Sequence, residues 1–190
     1  MSARVLACIA ALAVVLASAA SAAPPMSVAS LQHLLQSTPR HEVRFTETRE
    51  SPWLSAPVQS SGTMRSSPAM LEKRTDAPRA ETWRLLGDRM QLVADSGSKD
   101  LLFKDAPAAA VLANALREAV TGDLAALDKD FRLTLGGDEA VWTVQLVPRG
   151  AEAARVLKQI ELQGSRGQLL VIVILDAQGN RTTTRLQPAP

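Results

Sequence analysis

One cysteine, no tyrosine and two histidines in 190 residues leave little from which a catalytic or metal-binding centre could be built. Cys8 lies inside the first apolar stretch, which reads as part of an export signal, so the exported domain carries no thiol. Disulfides, zinc held through cysteine and thiol catalysis are excluded together. His33 and His41 fall in no metal-ligand or acid/base spacing. The patterns G-x-S-x-G, H-E-x-x-H and the P-loop are missing. Gly62-Thr63-Met64-Arg65 and Leu85-Leu86-Gly87-Asp88-Arg89 contain glycine but lead into no helix N-terminus, which is what makes a loop bind phosphate. Asp128 and Asp130 around Lys129, and Asp138-Glu139 after two glycines, fall at a loop and a hairpin turn, where solvated charges are expected. The reading is therefore of a protein that is not an enzyme, with no catalytic residue, no metal and no cofactor.

Charge of one sign is scarce as well: 21 Lys and Arg against 19 Asp and Glu give a net charge of +2, with arginines scattered among carboxylates. Nucleic-acid binding needs a concentrated basic face and is not expected. No apolar run reaches the length of about 20 residues that spans a bilayer. The longest, Val5 to Leu16, follows Arg4 and precedes the small-residue site Ala20-Ser21-Ala22, the pattern of a cleavable signal peptide over residues 1–22. Export out of the cytoplasm follows, with residues 23–190 as a single domain large enough to bury a core without staples.

Periodicity supplies what is present. After Pro24-Pro25, Val28, Leu31, Leu34 and Leu35 recur at helical spacing behind a capping Ser27, and Pro39 stops the run. The period then becomes two: Val43, Phe45 and Glu47 share one face, and similar runs cover Val58 to Arg65, Leu71 to Thr75, Glu81 to Leu86 and Met90 to Ala94, with alternation fading near Leu101. Pro107 opens a second helix with the apolar stripe Val111, Leu112, Ala115, Leu116, Ala119 and Val120, and Gly122 closes it. A short helix from Asp123 to Leu127 follows. Strands resume at Phe131 to Leu135, Val141 to Val147, Val156 to Gln163, Leu169 to Leu175 and Arg181 to Leu186, separated by glycine-containing turns or, after Val147, by Pro148-Arg149-Gly150. The pattern predicts a mostly β domain, an antiparallel meander of about ten or eleven strands with two or three helices. Val141 to Val147 and Leu169 to Leu175 read as apolar on both faces, which predicts a helix lid or an apolar ligand over the second face. Of Trp53, Trp83 and Trp142, any could be core or stand at a cavity mouth.

The order of these elements and several segments resemble the periplasmic carriers of outer-membrane lipoproteins, the LolA family. The segments are Phe45-Thr46-Glu47 after the first helix, Leu54 to Pro57 followed by Ser61-Gly62-Thr63-Met64, Pro68-Ala69-Met70-Leu71-Glu72-Lys73, and Gly87-Asp88-Arg89-Met90. Leu71 to Thr75, Gly122-Asp123-Leu124 with Leu127, and Trp142 to Pro148 are similar to the LolA-like branch that often accompanies genes for aryl-polyene or xanthomonadin-type glycolipid export. The resemblance implies an α+β fold, an incomplete antiparallel β-barrel of about eleven strands with helices as a lid over an apolar cavity. It implies a periplasmic, monomeric carrier of acylated lipoprotein or glycolipid, which takes cargo from an inner-membrane donor and delivers it to an outer-membrane acceptor. The cavity-lining set would be Phe45, Met64, Leu71, Trp83, Leu85, Met90, Leu92, Phe131, Leu133, Trp142, Val144 and Leu146 from strands, with Val111, Leu112 and Leu116 from the helix. Family carriers hold the lid with an arginine just before a proline. Here Ser67 precedes Pro68, and Arg65, two residues earlier, is the candidate for that contact. A sensing module that reports lipid to a membrane partner is the alternative reading of the same cup, and an acyl hydrolase a third that lacks its nucleophile constellation.

Overall fold

The computed structural model describes residues 26–38, 42–67 and 69–188. The expected signal peptide, the Pro24-Pro25 linker, Pro39, His41 and Pro68 lie outside them. Helix α1 (Val28–Ser37) opens with a reciprocal cap: the Ser27 hydroxyl accepts from the Ser30 backbone N–H at 3.1 Å, and the Ser30 hydroxyl accepts from the Ser27 N–H at 2.9 Å. Two otherwise unpaired donors are satisfied this way. Helix α2 (Pro107–Thr121) begins on a proline that has no N–H to lose and ends on Gly122, which takes a left-handed φ of 72°. A Cβ on Gly122 would stand 2.7 Å from Leu35 Cβ, so the same glycine lets the end of α2 press against α1. Helix α3 (Leu124–Asp130) is capped by the Asp123 carboxylate, which accepts from the Ala126 N–H at 3.0 Å.

Eleven strands make up the sheet: β1 (Glu42–Glu50), β2 (Val58–Ser67), β3 (Met70–Ala77), β4 (Glu81–Leu85), β5 (Arg89–Ala94), β6 (Gly97–Leu102), β7 (Phe131–Gly137), β8 (Trp142–Pro148), β9 (Leu157–Ser165), β10 (Gln168–Asp176) and β11 (Arg181–Pro188). Their order is β6-β5-β4-β3-β2-β1-β11-β10-β9-β8-β7, antiparallel throughout. Edges β6 and β7 do not pair, so the sheet stays open and is not a closed barrel. The chain between those two edges is the helical segment containing α2 and α3, which crosses one face of the sheet. Met64 of β2 and Phe131 of β7 belong to one packed core cluster although five strands separate them. In a flat sheet they would stand about 29 Å apart. The sheet therefore curls around the helices, and its inner face is the one they cover.

The core is sequence alternation made physical. Val43, Phe45, Met64, Trp142, Val144, Leu146, Ile160, Leu162, Ile172 and Leu186 point inward and pack against Leu31, Leu35, Ala115, Ala119, Leu124 and Leu127 from the helices. Trp142 is wholly buried, and its indole N–H donates to the Arg166 carbonyl at 2.7 Å. The ring occupies the space a side chain would need at Gly164 on the adjacent strand, where a Cβ would lie 2.0 Å from Trp142 Cζ2.

Three expectations are corrected here. Strand β8 is not buried on both faces: Trp142, Val144 and Leu146 are buried, Thr143 and Gln145 are exposed, and Val141 precedes the strand in solvent. On β10 the outward Val171 and Val173 are covered by no helix. They lie in a shallow depression among Thr48, Glu50, Gln163, Arg181, Thr183 and Arg185, whose long side chains shield them. The described residues hold four α-helices against the two or three expected, because Ala151–Ala154, just after the Pro148-Arg149-Gly150 turn, forms a one-turn helix, α4.

Candidate functional site

All twelve strand residues expected to line a cavity share the inner face, as the pairing registers Phe45↔Gly62, Met64↔Lys73, Leu71↔Leu85, Trp83↔Leu92, Leu133↔Leu146 and Trp142↔Gly164 require. Their surroundings differ. Phe45, Met64, Phe131, Trp142, Val144 and Leu146 are buried in the main core, with Leu133, Val111, Leu112 and Leu116 packed on it at partial exposure. Leu71 and Leu85 join Ala113 in a smaller cluster that Met90, Phe103, Leu116 and Val120 flank. Trp83 and Leu92 face each other beyond both clusters, half-buried. Arg65 lies on the opposite, outer face: alternation turns it away from Met64, and its guanidinium pairs with Glu42 at 3.1 Å. That neighbour raises the Arg65 pKa, first through the hydrogen bond and then through its charge. Arg65 thus points away from the face that the helices cover.

The open space is at one end of the layer. A half-open pocket of about 580 Å³ is bounded by the last turns of α1 and α2, the tip between β2 and β3, the start of β1, the end of β11 and the turn from β9 to β10. Leu35, Val43, Val120, Leu169 and Leu186 supply an apolar floor, and three of them, Leu35, Val43 and Leu186, are members of the main core. Gln36, Thr38, Ser66, Ser67, Arg117, Glu118, Thr121, Asp123 and Gln168 make a polar rim. The fifteen residues expected from the sequence are not among these. Most of the lining comes from helix C-termini and turns, whose residues carry no apolar period. Leu35 and Val120 belong to recognised helical stripes and Val43, Leu169 and Leu186 to recognised strand runs, but no period marks them as sharing one pocket. Burial pushes the Glu118 carboxyl above its ordinary value of 4.5; Asp123 and Asp130 add to the rise, while Arg117 and Lys129 oppose it.

The arrangement, an open curved sheet roofed by helices with an amphipathic pocket at its end, can hold a molecule with one apolar and one polar part. The family described as outer membrane lipoprotein carrier protein, LolA-like, matches residues 19–190. The chain belongs to this LolA-like family. Comparison with curated proteins gives no match. Among solved structures it is similar to a LolA superfamily protein from Nitrosomonas europaea at 14% identity, covering 85% of this chain and 92% of that one with a TM-score of 0.44. It is also similar to a putative outer membrane lipoprotein-sorting protein domain from Vibrio parahaemolyticus at 10% identity, covering 84% and 88% with a TM-score of 0.42.

This LolA-like chain also carries charge on its inner face. Lys73 Nζ lies 2.7 Å from Glu47 Oε2 and 4.8 Å from the centre of the Phe45 ring, and the Thr184 hydroxyl donates to the same Glu47 oxygen at 2.8 Å. Beside it the Trp83 indole N–H donates to Glu81 at 2.9 Å. Sequence alternation places Glu47 on the face of Phe45, but nothing in the sequence names Lys73 as its partner. The half-buried pair sits where the apolar core gives way to the more exposed part of the sheet, and among the described residues no fully buried side-chain polar atom lacks a partner.

Proposed function

We propose that the protein is a periplasmic carrier that holds the acyl part of a lipoprotein or glycolipid and moves it from an inner-membrane donor toward the outer membrane. The observation that carries the reading is the half-open pocket of about 580 Å³, whose floor is continuous with the core under α1 and α2 and whose rim is polar. Its size falls within the range of about 300–1,000 Å³ typical of small-ligand sites. An acyl chain on the floor gains about 0.8 kcal/mol for each methylene removed from water, and the rim receives the polar group to which the chain is attached. The contact surface of α2 suits a roof that shifts. Its fully buried residues are Ala113, Ala115 and Ala119, while the larger Val111, Leu112, Leu116 and Val120 are only partly covered. Lifting such a helix takes only small side chains of its own out of full burial, and would join the pocket to the inner-face residues Phe45, Met64 and Leu71, now buried, and Met90.

Localisation rests on the expected signal peptide over residues 1–22 and on the family's description; among the described residues no helix is long and apolar enough to cross a membrane. The chain acts as a monomer that binds and releases its cargo without chemistry. The test is displacement of an environment-sensitive apolar dye from the chain lacking residues 1–22 by long-chain lipid. Stoichiometric displacement, with the lipid recovered intact, is expected. Dye retained at saturating lipid, or lipid returned cleaved, refutes the reading.

A further inference from the structure

Among the described residues, four of the six large apolar side chains that stand exposed gather at the end of the sheet remote from the pocket: Trp53 at 84%, Leu54 at 43%, Val58 at 46% and Val156 at 39%. Trp53 and Leu54 form the tip of the loop between β1 and β2. Pro52 of that loop approaches Gly179 in the turn between β10 and β11, and the Ala177 N–H of the same turn donates to the Val156 carbonyl at 3.1 Å. Three connections thus meet to present one apolar end. The loop is held in place: the Trp53 N–H donates to the Ser51 hydroxyl at 3.3 Å and the Leu54 N–H to the Ser51 carbonyl at 3.1 Å. A tryptophan fixed with most of its surface in water is a cost that folding does not require, since Trp142 shows how this chain buries the same side chain.

We infer that this end docks on a lipid surface, with Trp53 and Leu54 entering the interfacial layer. The chemistry favours lipid over a protein partner. Residues 51–64 contain no charge, so nothing in the loop or the strand that follows it resists entry into the acyl boundary. Tryptophan joins an apolar body to an N–H donor, here without an internal partner, which suits the headgroup level. Arg49 and Arg181 stand at the strand ends beside the loop, exposed and in no salt bridge, placed to meet phosphate groups. Arg49 also helps to hold the nearby Asp176 ionised: burial raises that carboxyl, but hydrogen bonds from the Asn180 side chain and from the Asn180 and Gln178 backbone N–H groups, with the charge of Arg49, lower it overall. The loop is roughly 24 Å from the pocket along β1. Docking there leaves the pocket mouth free for exchange of cargo.

The experiment is co-sedimentation of the chain lacking residues 1–22 with vesicles of phosphatidylethanolamine and phosphatidylglycerol, comparing it with Trp53→Ser/Leu54→Ser. Because interfacial affinity follows buried apolar area, the double variant is expected to partition about tenfold or more weakly. Its melting temperature and its apolar-dye affinity should be unchanged, since these side chains touch neither core nor pocket. Equal partitioning of the two proteins, or no partitioning of either, overturns the inference, as does loss of binding to a membrane protein with vesicle binding intact. Dye binding is read at the opposite end of the molecule, so failure here and failure of the carrier reading are distinguishable.

Discussion

Lengthening the hydrocarbon of a bound amphiphile one methylene at a time probes the pocket directly. If a methylene takes about the space of a liquid water, roughly 30 Å³, then 580 Å³ holds at most about 19 such groups, the tail of one acyl chain. The state described here is thus sized for a single chain, and a triacylated group requires α2 to move. Each methylene that reaches the floor contributes about 0.8 kcal/mol when fully covered, and less where the half-open side leaves it wet, so affinity should rise about twofold to fourfold per methylene. Fatty acids from octanoate to stearate, competed against a fluorescent dye below their micelle concentrations, measure the slope. It should be steep for the shorter chains and flatten as the tail outgrows the floor of Leu35, Val43, Val120, Leu169 and Leu186. Leu169→Asp, placing a carboxylate on that floor, should lower the affinities together by about tenfold or more. Affinity independent of chain length, or unaffected by Leu169→Asp, would refute the assignment of the pocket.

Three further outcomes follow from the geometry. Gly164→Ala drives a methyl group into the Trp142 ring and strains its 2.7 Å bond to Arg166; a loss of about 3 kcal/mol, or roughly 10 °C in Tm, is expected by thermal denaturation. Glu118 binds its proton more tightly folded than unfolded, so its contribution to stability is fully present below the ordinary value of 4.5 and is lost as pH rises through the raised value. Glu118→Gln should therefore melt higher than the parent at neutral pH, with the difference closing in acid, and an unchanged gap across that range would count against the assignment. Removing Lys73 alone leaves Glu47 half-buried with only Thr184, so Lys73→Met should cost about 1–3 kcal/mol in urea denaturation, whereas Lys73→Met combined with Glu47→Leu should recover most of it.

Boundaries and faces were legible in the sequence wherever local chemistry alone decides them. Ser27, Pro107, Gly122 and Asp123 mark helix ends because each satisfies or removes a backbone group at its own position, and the alternation of Val43, Phe45 and Glu47 puts the right atoms inward on β1. Strand β6 was harder to see, because Gly97-Ser98-Lys99-Asp100 is an exposed edge with no apolar period until Leu101. The outer face of β10 misled because an unbroken run of Leu, Val and Ile looks the same whether a helix or neighbouring arginine and glutamine side chains cover it. The pocket was hidden for a related reason. It is assembled from Leu35, Ser66, Glu118, Gly122 and Leu169, residues that only the meeting of the ends of α1 and α2 with the ends of the strands brings together, and Glu118 on its helix looks like any solvated acid. Nor does composition say which tryptophan is core: Trp142 finds a vacant Gly164 opposite, and Trp53 finds nothing.

Mass spectrometry of what the protein holds when purified from cells that make the full chain tests the proposed carrier function most directly. An intact acylated molecule, close to one per chain, is expected, and Leu169→Asp should no longer retain it. A protein purified with no acylated molecule, and that in vitro takes up none, would contradict it.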